Sequence, residues 1–230
     1  EIARNTDLKS GYVMLMPIDG HAAQLQTNMA GTLNLDWVLS LASDAADSIG
    51  VPVEKDHLLT LIDGWIADTQ PAALLYHPYI SDAGERGPFI DHTARSSFIG
   101  LNSNHGFADL VHGTIEGLGF AARDCYTAMG QVPQEVRLTG GAARSQRLRD
   151  IVSATLGTPV RQSTREEAGA AGAAMIAAVS VGIFDTMQSC LDKWVVPLLG
   201  AHETPDPQLA GIYANHFRKY VSAREALQPI

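Results

Sequence analysis
The 230-residue sequence predicts an α/β domain. Short apolar runs alternate with helical 3.6-residue patterns through the middle and later chain. One such run, Val136-Arg-Leu-Thr-Gly-Gly-Ala-Ala-Arg-Ser145, ends in two adjacent glycines just before a helical pattern restarts. The next short run leads into a stretch of equally small residues, Glu166-Glu-Ala-Gly-Ala-Ala-Gly-Ala-Ala-Met175.

The elements follow in order. Gly11 to Ile18 reads as a strand, with Tyr12, Val13, Leu15 and Ile18 its apolar members. From Ala22 to Leu41 the pattern turns helical, with Leu33, Trp37, Val38 and Leu41 on one face. A second helix begins near Lys55 and carries Leu58, Leu59, Ile62, Trp65 and Ile66. Ala73 to Tyr79 is a short apolar strand. It leads into a long polar loop from Ser81 to Ser97, a length that favours a functional segment over an idle one. Phe107 to Met129 is a helix with Val111, Ile115, Leu118, Ala122 and Cys125 along one side, and His112, Glu116 and Arg123 elsewhere. Glu135 to Thr139 is the strand before the glycine pair. Ser145 to Leu156 is a helix burying Leu148, Ile151, Val152 and Leu156, stopped by Gly157. After a strand from Pro159 to Gln162, Ser163 and Thr164 stand three residues ahead of Glu166 and Glu167, a doubled capping box for a helix to about Val181. Helical patterns return around Met187–Val195, and after the loop His202–Pro207 with Leu209, Ile212, Tyr213, Phe217 and Tyr220.

Composition narrows the function classes. A formal net charge of −9 disfavours a surface for nucleic-acid backbone. The apolar stretches are too short to span a bilayer. The two cysteines, Cys125 and Cys190, lie in apolar helical contexts, which fits a reduced, cytoplasmic setting. A basic strip of Arg137, Arg144, Arg147, Arg149, Arg161 and Arg165 flanks the glycine pair and suits phosphate, although ordinary solvated edges explain most of it equally well. The chain opens on Glu1 rather than Met, as the middle of a longer protein would.

A glycine pair at a strand end removes two Cβ atoms where backbone must approach a ligand, and ligands of open α/β sheets collect at the carboxyl ends of strands. A slot between Gly140–Gly141 and the small-residue helix therefore suits an adenine or a sugar, and close helix-on-sheet packing is the plainer alternative. Gly169 and Gly172 each cost that helix roughly 1 kcal/mol against alanine, so a packing or ligand reason is expected for them. The sequence holds no Gly-Lys-Ser/Thr phosphate loop, no Gly-x-Gly-x-x-Gly, no Gly-x-Ser-x-Gly and no zinc spacing. Asp82, Glu85, Arg86, Asp91 and His92 crowd the long loop, where an internal contact network is simpler than a carboxylate pair. Asp19 and His21 have the same standing at the first strand end.

Three stretches resemble the C-terminal domain of the FGGY carbohydrate kinases. Ser97-Phe-Ile-Gly-Leu101, followed after seven residues by Asp109-Leu-Val-His-Gly-Thr-Ile-Glu116, is similar to a family signature, departing at Gly113 where alanine or serine is usual. Leu138-Thr-Gly-Gly-Ala-Ala-Arg-Ser145 resembles the adenine-side loop, and Glu167-Ala-Gly-Ala-Ala-Gly-Ala-Ala174 the helix facing it. Gly84-Glu-Arg-Gly-Pro88 is similar to a loop of the xylulose-kinase branch. Tyr76-His-Pro-Tyr-Ile-Ser81 and the segment from Gln26 to Trp37 resemble the erythritol-kinase branch.

The resemblance implies a ribonuclease-H-like, actin-like ATPase domain over 1–185 with a helical extension over 186–230, forming the C-terminal half of a two-domain kinase. It implies ATP and Mg2+ as cofactors, and a small polyol (erythritol, or alternatively xylulose or another ketose) as phosphoryl acceptor. Gly140 and Gly141 are then the backbone wall against the adenine, Ser145 a polar contact, and Asp36 a residue near the nucleotide; Glu116 is structural or ion-pairing rather than catalytic. The catalytic aspartate is expected upstream of this chain, with the N-terminal domain as partner, a homo-oligomer possible, and the 230 residues inactive alone. A non-catalytic actin-like regulatory or structural domain is the rival reading.

Overall fold
The computed structural model describes residues 10–18, 20–165 and 167–227, without the side chain of Ala142. Asp19 and Glu166 lie outside the described residues. A hairpin opens the fold, β1 (Tyr12–Leu15) and β2 (Ala22–Leu25), paired antiparallel with Tyr12 opposite Leu25. Helices α1 (Leu33–Ser48) and α2 (Lys55–Asp68) follow. Next come β3 (Leu75–His77) and β4 (Ser97–Ile99), also antiparallel, and the long helix α3 (Phe107–Ala128). The last strands, β5 (Val136–Leu138) and β6 (Val160–Gln162), pair in parallel across α4 (Gln146–Leu156). Three helices complete the chain: α5 (Ala168–Ser180), α6 (Met187–Trp194) and α7 (Pro207–Leu227).

Helix α3 is the centre of the molecule, packed by α1, α2, α4, α7 and β3. Its Val111, Ile115 and Phe120 meet Val38 and Leu39 of α1, Ile62 of α2, Ile151 of α4, and Tyr213 and Tyr220 of α7 in one apolar core. Glycines let its neighbours come this close. A Cβ on Gly117 would stand 2.5 Å from the Tyr76 carbonyl oxygen, which is strand backbone and cannot step aside. Gly117→Ala is therefore expected to destabilise the chain by about 1–3 kcal/mol in urea denaturation; an unchanged midpoint would contradict this packing. At Gly113, where the family pattern has alanine or serine, a Cβ would sit 3.2 Å from Leu74 Cβ, so only a small yielding of that side chain is needed.

Several sequence expectations change here. Residues 22–25 are a strand, although Ala-Ala-Gln-Leu is helix-prone, because β1 supplies pairing partners across the turn closed by the Met16 N–H on His21 oxygen at 3.1 Å. The buried face of α1 is Asn34, Leu35, Val38 and Leu39, whereas Leu33, Trp37 and Leu41 are 53%, 36% and 45% exposed. One apolar stripe at helical spacing was visible, but two overlapped, and packing on α3 chose the other. The long loop ends in a strand, β4. On α3, His112 and Glu116 are buried, so the helix is enclosed on nearly every side rather than two-faced. Thr164 does not cap α5, and the Ser163–Glu166 half of the expected capping box lies outside the described residues. Glu167 stands at the N-cap of α5 with no side-chain cap bond, while Ser163 is bridged to Leu199. Helix α5 buries only Ala178, and a Cβ on Gly169 or Gly172 would meet no atom of the described residues within 4 Å, so packing among those residues does not explain the two glycines. No helix among the described residues is long and apolar enough to cross a membrane.

Candidate functional site
The parallel pair β5–β6 places two chain turns side by side at its carboxyl end. After β5, Gly140 adopts φ 85° and ψ −167°, a conformation open essentially to glycine alone, and the backbone enters a 3-10 turn over Gly141–Arg144. After β6, the Ser163 N–H donates to the Leu138 oxygen at 2.8 Å and brings the second turn against the first. Between them lies a cavity of about 340 Å³ lined by Gly140, Arg144, Gln162, Ser163, Thr164, Arg165 and Glu167. That volume and that position, outside strand ends, suit a small polar ligand.

The structure separates the expected site residues. Gly140 lines the cavity and Gly141 follows it in the turn. Ser145 is engaged elsewhere: its Oγ donates to Asp63 Oδ1 at 2.7 Å and accepts the Leu148 N–H at 3.2 Å as the N-cap of α4. Asp36 is exposed in the first turn of α1 and is not among the cavity residues. The basic strip is largely consumed internally. Arg137 pairs with Glu135 at 3.1 Å, Arg161 donates to the Gly200 oxygen at 2.8 Å, and Arg165 reaches the Trp194 oxygen. Arg144 and Arg165 are the two arginines at the cavity.

The loop cluster is a contact network. Glu85 is 1% exposed, and its Oε1 accepts the N–H groups of Arg86 at 2.8 Å, Met29 at 3.0 Å and Gly87 at 3.3 Å. Burial pushes its carboxyl up, and those three donors pull it back. Asp91 bonds instead to Thr93, whose hydroxyl and N–H hold its carboxyl below the usual range. The two acids serve different partners and form no acid–base pair.

A second buried polar cluster was not foreseen. Thr69 Oγ1 donates to the Trp65 oxygen at 2.8 Å, so at 2.7 Å it must accept from His112 Nδ1–H. Nε2 of His112, then without a proton, lies 3.3 Å from Glu116 Oε1, the oxygen that accepts the Ala72 N–H at 2.8 Å. Ala72, at φ 60°, is the non-glycine residue of positive φ among the described residues, and this bond holds it there. Burial pushes Glu116 up to about 7 and His112 down to about 4. The i, i+4 spacing of the two residues was the available sequence signal. They tie α2, α3 and the turn before β3 together, away from the Gly140 cavity.

The FGGY family of carbohydrate kinases, C-terminal domain, matches residues 5–181. The chain belongs to this family. The erythritol kinase of Brucella abortus (strain 2308) is 52% identical to it over 221 residues, 96% of this chain and 42% of that protein. The xylulose kinase of Escherichia coli (strain K12) is 30% identical over 168 residues, 71% of this chain and 34% of that protein. The chain thus spans less than half the length of these FGGY relatives. Among solved structures, the xylulose kinase of Rhodospirillum rubrum superposes with a TM-score of 0.78 at 24% identity, over 96% of this chain and 43% of that one. That likeness establishes the fold, the α/β domain of the C-terminal halves of sugar kinases.

Proposed function
We propose that this chain forms the ATP-holding part of a kinase that phosphorylates a small polyol, with erythritol as the substrate of the whole protein. The cavity at the carboxyl ends of β5 and β6 carries the reading. Its glycine wall admits a flat base against backbone, and Arg144 and Arg165 bring positive charge to phosphate. In this reading Gly140 and Gly141 face the adenine, Ser145 acts by holding the turn, and Asp36 takes no part. Residues 1–185 form the nucleotide domain and 186–230 its helical extension.

Mg2+ suits this site as a companion of the ATP phosphates, a common way for it to bind. The chain's own contribution is binding and orientation, which in phosphoryl transfer is most of the catalysis. The catalytic aspartate belongs to an N-terminal domain, and closure of the two halves would exclude water.

The identity of 52% along nearly the whole chain favours erythritol over xylulose, whose kinases match less closely and over less of it. Calorimetric titration of the 230-residue chain with MgADP is expected to show one site, and incubation with ATP and erythritol no turnover. Absence of ADP binding would remove the nucleotide reading; turnover would show that the chain carries its own catalytic base. If a longer protein containing this chain phosphorylated xylulose and not erythritol, the substrate assignment would fall.

A further inference from the structure
The turn that walls the cavity has little structure of its own. Between Gly140 and Ser145 it is one 3-10 turn, with the Ala143 N–H on the Gly140 oxygen at 3.2 Å. The direction of so short a turn is set by what grips it. Arg149 Nη1 donates to the Ala143 oxygen at 2.7 Å, inside the protein. Arg149 is 7% exposed, and a guanidinium that deep requires a counter-charge. Glu203 provides it, with its carboxylate oxygens 2.8 and 3.0 Å from Nε. Glu203 is itself built into the sheet: its N–H and oxygen exchange bonds with Val160 at 2.9 and 3.0 Å. Strand β6 pairs with β5, from whose end the turn begins. The contacts close a ring through β5, the turn, Arg149, Glu203 and β6.

From this ring we infer that Arg149 and Glu203 are the positioning residues of the nucleotide wall. They fix the Ala143 carbonyl, and with it the run of the Gly140–Gly141 backbone, without lining the cavity themselves. The inference rests on reading that cavity as the nucleotide site. It also makes the segment before α7 part of the nucleotide machinery, although it lies 54 positions from Arg149.

The test uses Arg149→Met, Arg149→Lys and Glu203→Gln, with MgADP titration and hydrogen–deuterium exchange of the peptide over 140–145. Arg149→Met is expected to weaken ADP binding about ten-fold, the worth of one charge-assisted bond, and to speed exchange over 140–145 while α3 is unchanged. Arg149→Lys, which keeps the charge and loses the fork, should recover only part, and Glu203→Gln should lose less than Arg149→Met. Parent-like affinity and exchange in Arg149→Met and Glu203→Gln would overturn the inference. So would exchange rising equally in α3, which marks a role in general stability. If the parent chain bound no ADP, the nucleotide reading would fall, and exchange over 140–145 would alone decide whether the pair holds the turn.

Discussion
Glu85→Ala is expected to cost the chain about 3 kcal/mol or more, because three backbone N–H groups converge on one oxygen of this side chain. Alanine leaves the donors of Met29, Arg86 and Gly87 without that acceptor, at a residue sealed from solvent. The loss also severs two chain segments, since Met29 lies 56 positions from Glu85 and is drawn to the loop by this bond. Glu85→Gln retains an amide oxygen at the same reach and should cost less than half as much. Urea denaturation of both variants measures the difference. A loss below about 1 kcal/mol for the alanine variant would mean that water serves the three donors as well as the carboxylate does.

His112→Leu is expected to create a steep pH dependence where the parent pair is silent. The folded chain holds Glu116 at about 7 and His112 at about 4, both through burial, against unperturbed values of 4.5 and 6.5. Between those two unperturbed values the unfolded chain carries one proton, on histidine, and the folded chain also carries one, on glutamic acid. Proton counts match, so the pair adds no slope. Above that window the unfolded chain has none while the folded chain keeps its proton until about pH 7, and stability falls as pH rises. Below it the unfolded chain has two and the folded chain one, and stability falls as pH drops toward 4.

Without His112, only the raised carboxyl remains. Its contribution is complete below pH 4.5 and is lost as pH climbs through about 7. The variant should therefore lose about 1.4 kcal/mol per pH unit relative to the parent between pH 4.5 and 6.5. Denaturation curves of the two proteins at several pH values across that window give the slope directly, and parallel dependences would refute it.

The local signals were legible where one element decides its own fate. The spans of α3 and α4, the Gly157 stop and the glycine pair after β5 all appear in the structure where the sequence placed them, although Leu118 and Ala122 of α3 and Val152 of α4 are only partly buried. Ser145 is where local and distant effects part. Its capping of Leu148 follows from its place before a helical run, whereas its bond to Asp63 spans 82 positions and has no local trace.

The sequence by itself determined the family, the α/β class and the position of the glycine turn, because these depend on short-range periodicity, on turn chemistry and on motifs read in order. Only the tertiary structure decided that residues 22–25 pair as a strand, which stripe of α1 is buried, and what Glu85, Glu116 and Arg149 serve. The physical reason is common to all of them. Burial of a charged or ambivalent residue is set by partners far along the chain, and a carboxylate beside a buried N–H or guanidinium looks, in sequence, like any other polar residue.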